Sequence, residues 1–123
     1  MLLVENSEPL RALAREFLRS SGYAVLEAGH GKEALRIAKA FSGPIHLLLT
    51  DVVMPGMGGK QLAKQFASLR PPTKVLYMSG YSDDAIVNSG KLTTEMVFLE
   101  KPFTRDILLR KVRGLLDEVP QPA

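Results

Sequence analysis

The segment Ile45-His46-Leu47-Leu48-Leu49-Thr50 is almost continuously apolar and stops at Asp51. A strand with one wet face alternates apolar and polar residues, whereas a strand covered on both faces has no such need. The segment therefore predicts a central strand of a parallel sheet. Shorter runs of the same kind occur at Leu2-Leu3-Val4, Ala24-Val25-Leu26, Val75-Leu76-Tyr77-Met78 and Met96-Val97-Phe98-Leu99.

Helical patterns fill the intervals. Leu10, Leu13, Ala14, Phe17 and Leu18 form an amphipathic stripe that Gly22 ends. A second helix starts near Lys32, carries Ala34, Leu35, Ala38 and Phe41 on one side, and is broken by Gly43-Pro44. Met54-Pro55-Gly56-Met57-Gly58-Gly59 predicts a loop, and Leu62, Ala63, Phe66 and Leu69 a third helix stopping before Pro71-Pro72. A short helix is expected over 83–88. The last helix starts from Thr104 as N-cap and carries Leu108, Lys111, Val112, Leu115 and Leu116. Five successive strand–helix units predict an α/β doubly wound fold: a five-stranded parallel sheet with helices on both faces and right-handed crossovers. Residues 1–118 are expected to form one domain and 119–123 a loose tail. The first strand begins almost at residue 1, which fits either a piece of a longer protein or a short native start.

The 123 residues suffice for one buried core, and a composition of 46% hydrophobic and 24% charged residues argues against disorder. The net charge of +3 is spread along the chain with no basic run interleaved with aromatics, so no direct nucleic-acid contact is expected. The absence of cysteine excludes disulfides and thiolate metal sites and fits a cytoplasmic location. No apolar run approaches the roughly 20 residues that span a bilayer, and Met1-Leu2-Leu3-Val4 is too short for a secretory signal. No membrane contact is expected.

In an open parallel sheet, ligands bind beyond the carboxyl ends of the strands. Glu5 and Asn6 follow the first strand, Asp51 the third, Ser79 the fourth and Lys101 the fifth. Carboxylates, a hydroxyl and an ammonium together are what phosphoryl chemistry uses. A carboxylate is a competent nucleophile toward phosphorus, and Mg²⁺ with a nearby cation offsets the repulsion between the two anions. Lys101 can act as a point charge on a phosphate oxygen, and Ser79 can donate to another. Each residue also has a plainer reading: Asp51 as a loop cap, Lys101 as a surface lysine, Ser79 as a turn hydroxyl, Phe98 as core. His30 and His46 are isolated and make no metal site. Gly56, Gly58 and Gly59 lack the lysine spacing of a P-loop and are expected to permit a tight turn beside Asp51.

Four segments carry a resemblance: Val4-Glu5-Asn6-Ser7-Glu8-Pro9, Leu49-Thr50-Asp51-Val52-Val53-Met54-Pro55-Gly56-Met57-Gly58-Gly59, Met78-Ser79-Gly80-Tyr81 and Phe98-Leu99-Glu100-Lys101-Pro102-Phe103. Over essentially its whole length the chain resembles the receiver domain of bacterial two-component response regulators, and most of all the receivers of hybrid sensor histidine kinases. The resemblance implies a flavodoxin-like sheet in strand order 2-1-3-4-5 and Asp51 as phosphoacceptor. It implies Ser79 and Lys101 as phosphoryl contacts, with Mg²⁺ held by Asp51, Glu5, Asn6 and the Val53 carbonyl. Ser79 and Phe98 would form the switch, and Lys101-Pro102 would be the cis bond. The implied partner is a histidine kinase or histidine phosphotransfer domain. The domain would be a signalling switch rather than an enzyme, though able to assist its own phosphotransfer and dephosphorylation. Output would use the face of the 83–88 helix, the fifth strand and the last helix, which is also where receivers pair into oligomers. No effector segment follows Asp117, so an output domain is expected upstream, in another chain or outside this sequence; a fragment of a larger hybrid kinase fits.

Asn6 departs from the family pattern, which has an acidic residue there. An amide oxygen carries no charge, so weaker Mg²⁺ binding and slower phosphorylation are expected, with Glu5 reaching inward as compensation. The same departure motivates an alternative, a receiver-like protein-binding module that is not phosphorylated. A flavin carrier is disfavoured because the loop after the first strand is acidic. An aspartate-based phosphatase is disfavoured because Val53 stands where that class has a second aspartate.

Overall fold

A computed structural model of the chain describes residues 1–70, 72–80 and 97–117. The elements run β1 (Leu2–Val4), α1 (Glu8–Ser20), β2 (Leu26–Ala28), α2 (Gly31–Ala40), β3 (Leu47–Asp51), α3 (Gly59–Leu69), β4 (Lys74–Ser79), β5 (Val97–Glu100) and α4 (Arg105–Leu116). The five strands are parallel in the order β2-β1-β3-β4-β5, the order expected from the resemblance. The short helix expected over 83–88 and the tail at 119–123 lie outside the described residues.

Because successive strand residues point to opposite faces, the sheet feeds two cores. Leu2, Val4, Leu48 and Tyr77 pack with Ala34 and Ala38 of α2 and Leu62, Ala63 and Phe66 of α3. Leu3, Leu47, Leu49, Leu76, Met78 and Leu99 pack on the other face, with Ala14 and Leu18 of α1 and Leu108, Val112 and Leu115 of α4. All five residues of β3 are buried, as its unalternating sequence demands. Thr104 caps α4 by accepting a 3.2 Å hydrogen bond from the Ile107 N–H.

The structure corrects several local expectations. The second strand lies at Leu26–Ala28, not at residues 24–26. The Ala24 carbonyl is taken by the Met1 ammonium at 2.8 Å and the Val25 carbonyl by Arg19 at 3.3 Å, so neither enters the ladder. The third strand starts at Leu47, not Ile45, because the Ile45 carbonyl is engaged by the Thr73 hydroxyl at 2.6 Å. Leu13, Phe41 and Leu69, counted in the apolar stripes, are exposed, as is Lys111. His30 caps α2: its Nδ1 accepts from the Glu33 N–H at 3.2 Å, while the Glu33 carboxylate accepts from the Gly29 N–H at 3.3 Å.

Candidate functional site

The strand order brings the ends of β1, β3, β4 and β5 to one edge. Glu5 continues β1, and its N–H bonds to the Ala28 carbonyl at 3.1 Å. Asp51 closes β3 opposite Met78, and Ser79 closes β4 opposite Glu100. Lys101 follows β5, where its N–H bonds to the Ser79 carbonyl at 2.8 Å. The Lys101–Pro102 peptide bond is cis.

Glu5, Asp51 and Ser79 are buried at 2%, 3% and 9% exposure. Lys101 joins the two carboxylates. Its Nζ lies 3.1 Å from Glu5 Oε2 and 3.4 Å from Oε1, and it forms an ion pair with Asp51 Oδ1. Among the described residues the Lys101 ammonium is the one partner of the buried Asp51 Oδ1. Burial first, and then the Glu5 carboxylate, push the Asp51 carboxyl up to about 8 against the opposing pull of Lys101. Burial alone would lower the Lys101 ammonium, but hydrogen bonding and charge from Asp51 and Glu5 outweigh it and hold its pKa above the usual value. Two acids share one base in a desolvated pocket, so positive charge is in deficit there.

The loop after β3 is shaped to leave Asp51 at this rim. Gly56 has a positive φ of 81°, and a Cβ on Gly59 would stand 2.0 Å from the Asp51 carbonyl oxygen, which only glycine permits. The Gly59 N–H closes the turn onto the Val52 carbonyl at 2.8 Å. The Thr50 hydroxyl donates to the Asp51 carbonyl at 3.1 Å.

The remaining candidates sit around the pocket. Asn6 and Val53 are exposed. Phe98 is half-buried in β5, its ring centroid 5.7 Å from that of Tyr77. Of the two residues after β1, Glu5 is the one turned inward, carrying its carboxylate to Lys101 and accepting from the Ser7 N–H at 3.2 Å. Sequence reasoning missed Arg11, which belongs to no motif yet donates to the Glu5 carbonyl from α1 at 2.7 Å. Among the described residues no three of His, Cys, Asp and Glu gather as a metal-binding group. Two buried carboxylates nevertheless fit a hard divalent cation that keeps several waters, which is how Mg²⁺ is usually held. A groove of about 480 Å³ lined by Met1, Tyr23, Val25, Phe41 and Pro44 lies at the amino-terminal edge of the strands, away from these groups.

Comparison with known proteins agrees with this geometry. A family model described as the response regulator receiver domain matches residues 1–113. The sensor kinase CckA of Brucella abortus (strain 2308) is 35% identical over 118 residues, which cover 96% of this chain and 12% of the kinase. The response regulator receiver protein CpdR of the same organism is 28% identical over 116 residues, or 94% of this chain and 95% of that protein. The chain thus spans a small part of one relative and nearly all of another. The crystal structure of the receiver domain from the hybrid histidine kinase CckA superposes with a TM-score of 0.79 at 34% identity, covering 94% of this chain and 97% of that one. That of a response regulator receiver protein from Sinorhizobium medicae WSM419 gives 0.80 at 26% identity, covering 94% and 92%. A buried acid pair around one lysine at the carboxyl edge of a 2-1-3-4-5 sheet, together with these matches, makes the chain a member of the response regulator receiver domain family of two-component signalling.

Proposed function

We propose that the domain is a phosphoacceptor switch in which Asp51 receives a phosphoryl group from a phosphohistidine of a histidine kinase or phosphotransfer domain. The observation that carries this reading is the buried pair of carboxylates, Asp51 and Glu5, sharing the single Lys101 ammonium at the rim of the sheet. In the step, an Asp51 oxygen forms a bond to phosphorus while the bond from phosphorus to the donor imidazole nitrogen breaks, its electron pair leaving with the imidazole. Lys101 takes up one phosphoryl oxygen as a charge partner and the Ser79 hydroxyl donates to another. Asp51, Glu5, Asn6 and the Val53 carbonyl would hold Mg²⁺, which when bound would supply the positive charge that the pocket lacks. Movement of Ser79 toward the phosphoryl group, with Phe98 turning against Tyr77, passes the change to the output face. The domain, residues 1–118, acts as a module of a cytoplasmic phosphorelay. It is a receiver of phosphoryl groups rather than an enzyme with turnover, and it aids its own dephosphorylation.

Asn6 tunes this site. Replacing the family's usual acid with an amide removes one negative charge from the cation's surroundings, so Mg²⁺ binds more weakly than in receivers with two acids there.

Intact-mass spectrometry after treatment with a small phosphodonor and Mg²⁺ tests the reading. The expected result is a single phosphoryl adduct, absent without Mg²⁺ and absent in Asp51→Asn. No adduct, under conditions that modify a control receiver, would replace this reading with a receiver-like binding module that is not phosphorylated.

A further inference from the structure

The described contacts give Glu5 an unusual main-chain environment. Its N–H belongs to β2, bonding the Ala28 carbonyl at 3.1 Å. Its carbonyl accepts from Arg11 Nη1 of α1 at 2.7 Å. Arg11 does not stand alone: its Nε is 3.6 Å from Glu27 Oε1, and Glu27 is gripped from the other side by Arg15 Nη1, at 2.9 and 3.0 Å to its two oxygens. The Arg11 side chain is only 21% exposed, and it fits closely beside Gly29, where an added Cβ would sit 3.4 Å from Arg11 Nη1. The guanidinium is therefore wedged between the loop leaving β1 and the loop leaving β2.

Holding the Glu5 carbonyl fixes the peptide plane from which the Glu5 side chain departs. The side chain then turns inward, to Lys101 Nζ and the Ser7 N–H, while neighbouring Asn6 stays exposed. We propose that Arg11 is a positioning residue of the acid pocket, which sets the Glu5 carboxylate toward the cation and phosphoryl site by fixing its main chain, with Glu27 as the anchor. The part concerning the cation rests on the reading of Glu5 as a ligand given above. Groups that orient a metal ligand typically change metal affinity by about 10- to 100-fold when removed, although they never touch the ion. Arg11 differs from Arg15 in this respect, because Arg15 grips the same glutamate without contacting Glu5.

The test compares wild type, Arg11→Ala, Arg11→Lys and Arg15→Ala as whole chains. Two measurements are made: the Ser7 amide resonance and its hydrogen exchange in metal-free protein, and Mn²⁺ affinity by electron paramagnetic resonance. In Arg11→Ala the Ser7 amide is expected to shift and exchange faster, and Mn²⁺ to bind at least about tenfold more weakly. Arg15→Ala should lower the melting temperature while leaving both readouts near wild type. Arg11→Lys, which keeps a cation but loses the planar fork, should fall between, and it carries the test if the alanine variant does not fold. An unmoved Ser7 amide with Mn²⁺ affinity within about twofold of wild type would reduce Arg11 to a stabilising contact and overturn the proposal. If wild type itself takes up no Mn²⁺, the cation reading of Glu5 fails. The Ser7 amide then decides alone: displaced in Arg11→Ala but not in Arg15→Ala, it sustains the positioning role; unmoved, it ends it.

Discussion

The two edges of the sheet treat polar groups in opposite ways. At the amino-terminal edge, Arg70 spreads one guanidinium over three carbonyls, those of Ala38, Gly43 and Phe41, and so closes the end of α2 and the turn toward β3. Thr73 takes the Ile45 carbonyl and Met1 the Ala24 carbonyl. At the carboxyl edge, two buried carboxylates share one ammonium. One edge satisfies its carbonyls with donors from distant side chains. The other sets two buried acids against one base, a deficit of positive charge that costs stability in the absence of a ligand. Sites that act on charge need this kind of incompleteness, and the closed edge offsets its cost.

The largest expected effect tests whether the carboxyl edge is a liability without a cation. The Asp51 carboxyl sits at about 8 in the folded protein against 3.8 ordinarily, so between these values the folded state holds a proton that the unfolded state has released. Raising pH across that window therefore favours unfolding. Urea denaturation of metal-free protein should show wild type losing stability relative to Asp51→Asn from about pH 4 to pH 8, by on the order of 3 kcal/mol, then levelling off. Equal pH profiles for the two proteins would erase the contrast between the edges. Added Mg²⁺ should restore much of the loss, since it binds the ionised form.

Next in size is the opposite edge. Arg70→Ala strands partly buried carbonyls at the end of α2 and should lower stability by about 2 kcal/mol while leaving phosphodonor labelling of Asp51 intact. A loss of labelling in a folded Arg70→Ala protein would show that the edges are not independent. Asn6→Asp should tighten Mg²⁺ binding about tenfold, roughly 1.4 kcal/mol, in calorimetric titration. Unchanged affinity would remove Asn6 from any part in the site. The smallest effect sharpens the boundary of the charged carboxyl edge. Thr104→Ala removes the α4 cap just beyond Pro102 and should cost about 1 kcal/mol without altering Mg²⁺ affinity, marking where ordinary helix capping resumes.

Much of this architecture was legible in the order of residues. The unalternating segment before Asp51 suited a strand covered on both faces, and β3, which starts at Leu47, is buried throughout. Strand-end chemistry also pointed to Glu5, Asp51, Ser79 and Lys101, and the fold gathers them at one edge. The misplaced β2 has a specific cause: Ala24 and Val25 look like strand residues, but Met1 and Arg19 take their carbonyls. Composition cannot report which distant donor reaches a given carbonyl. The exposure of Leu13 and Leu69 has the same origin, since a periodic stripe defines a face but not how widely its neighbours cover it.

Hydrophobic period, turn residues and helix caps act over a few positions, so the amino-acid sequence alone determined the alternation of strands and helices and the residue types that end each strand. Contacts between residues far apart in the chain followed different physics. The joining of Glu5, Asp51 and Lys101, the choice of Glu5 over Asn6 to face inward, and the hold of Arg11 on the Glu5 carbonyl were decided only when sheet order and helix packing set those groups within hydrogen-bonding distance.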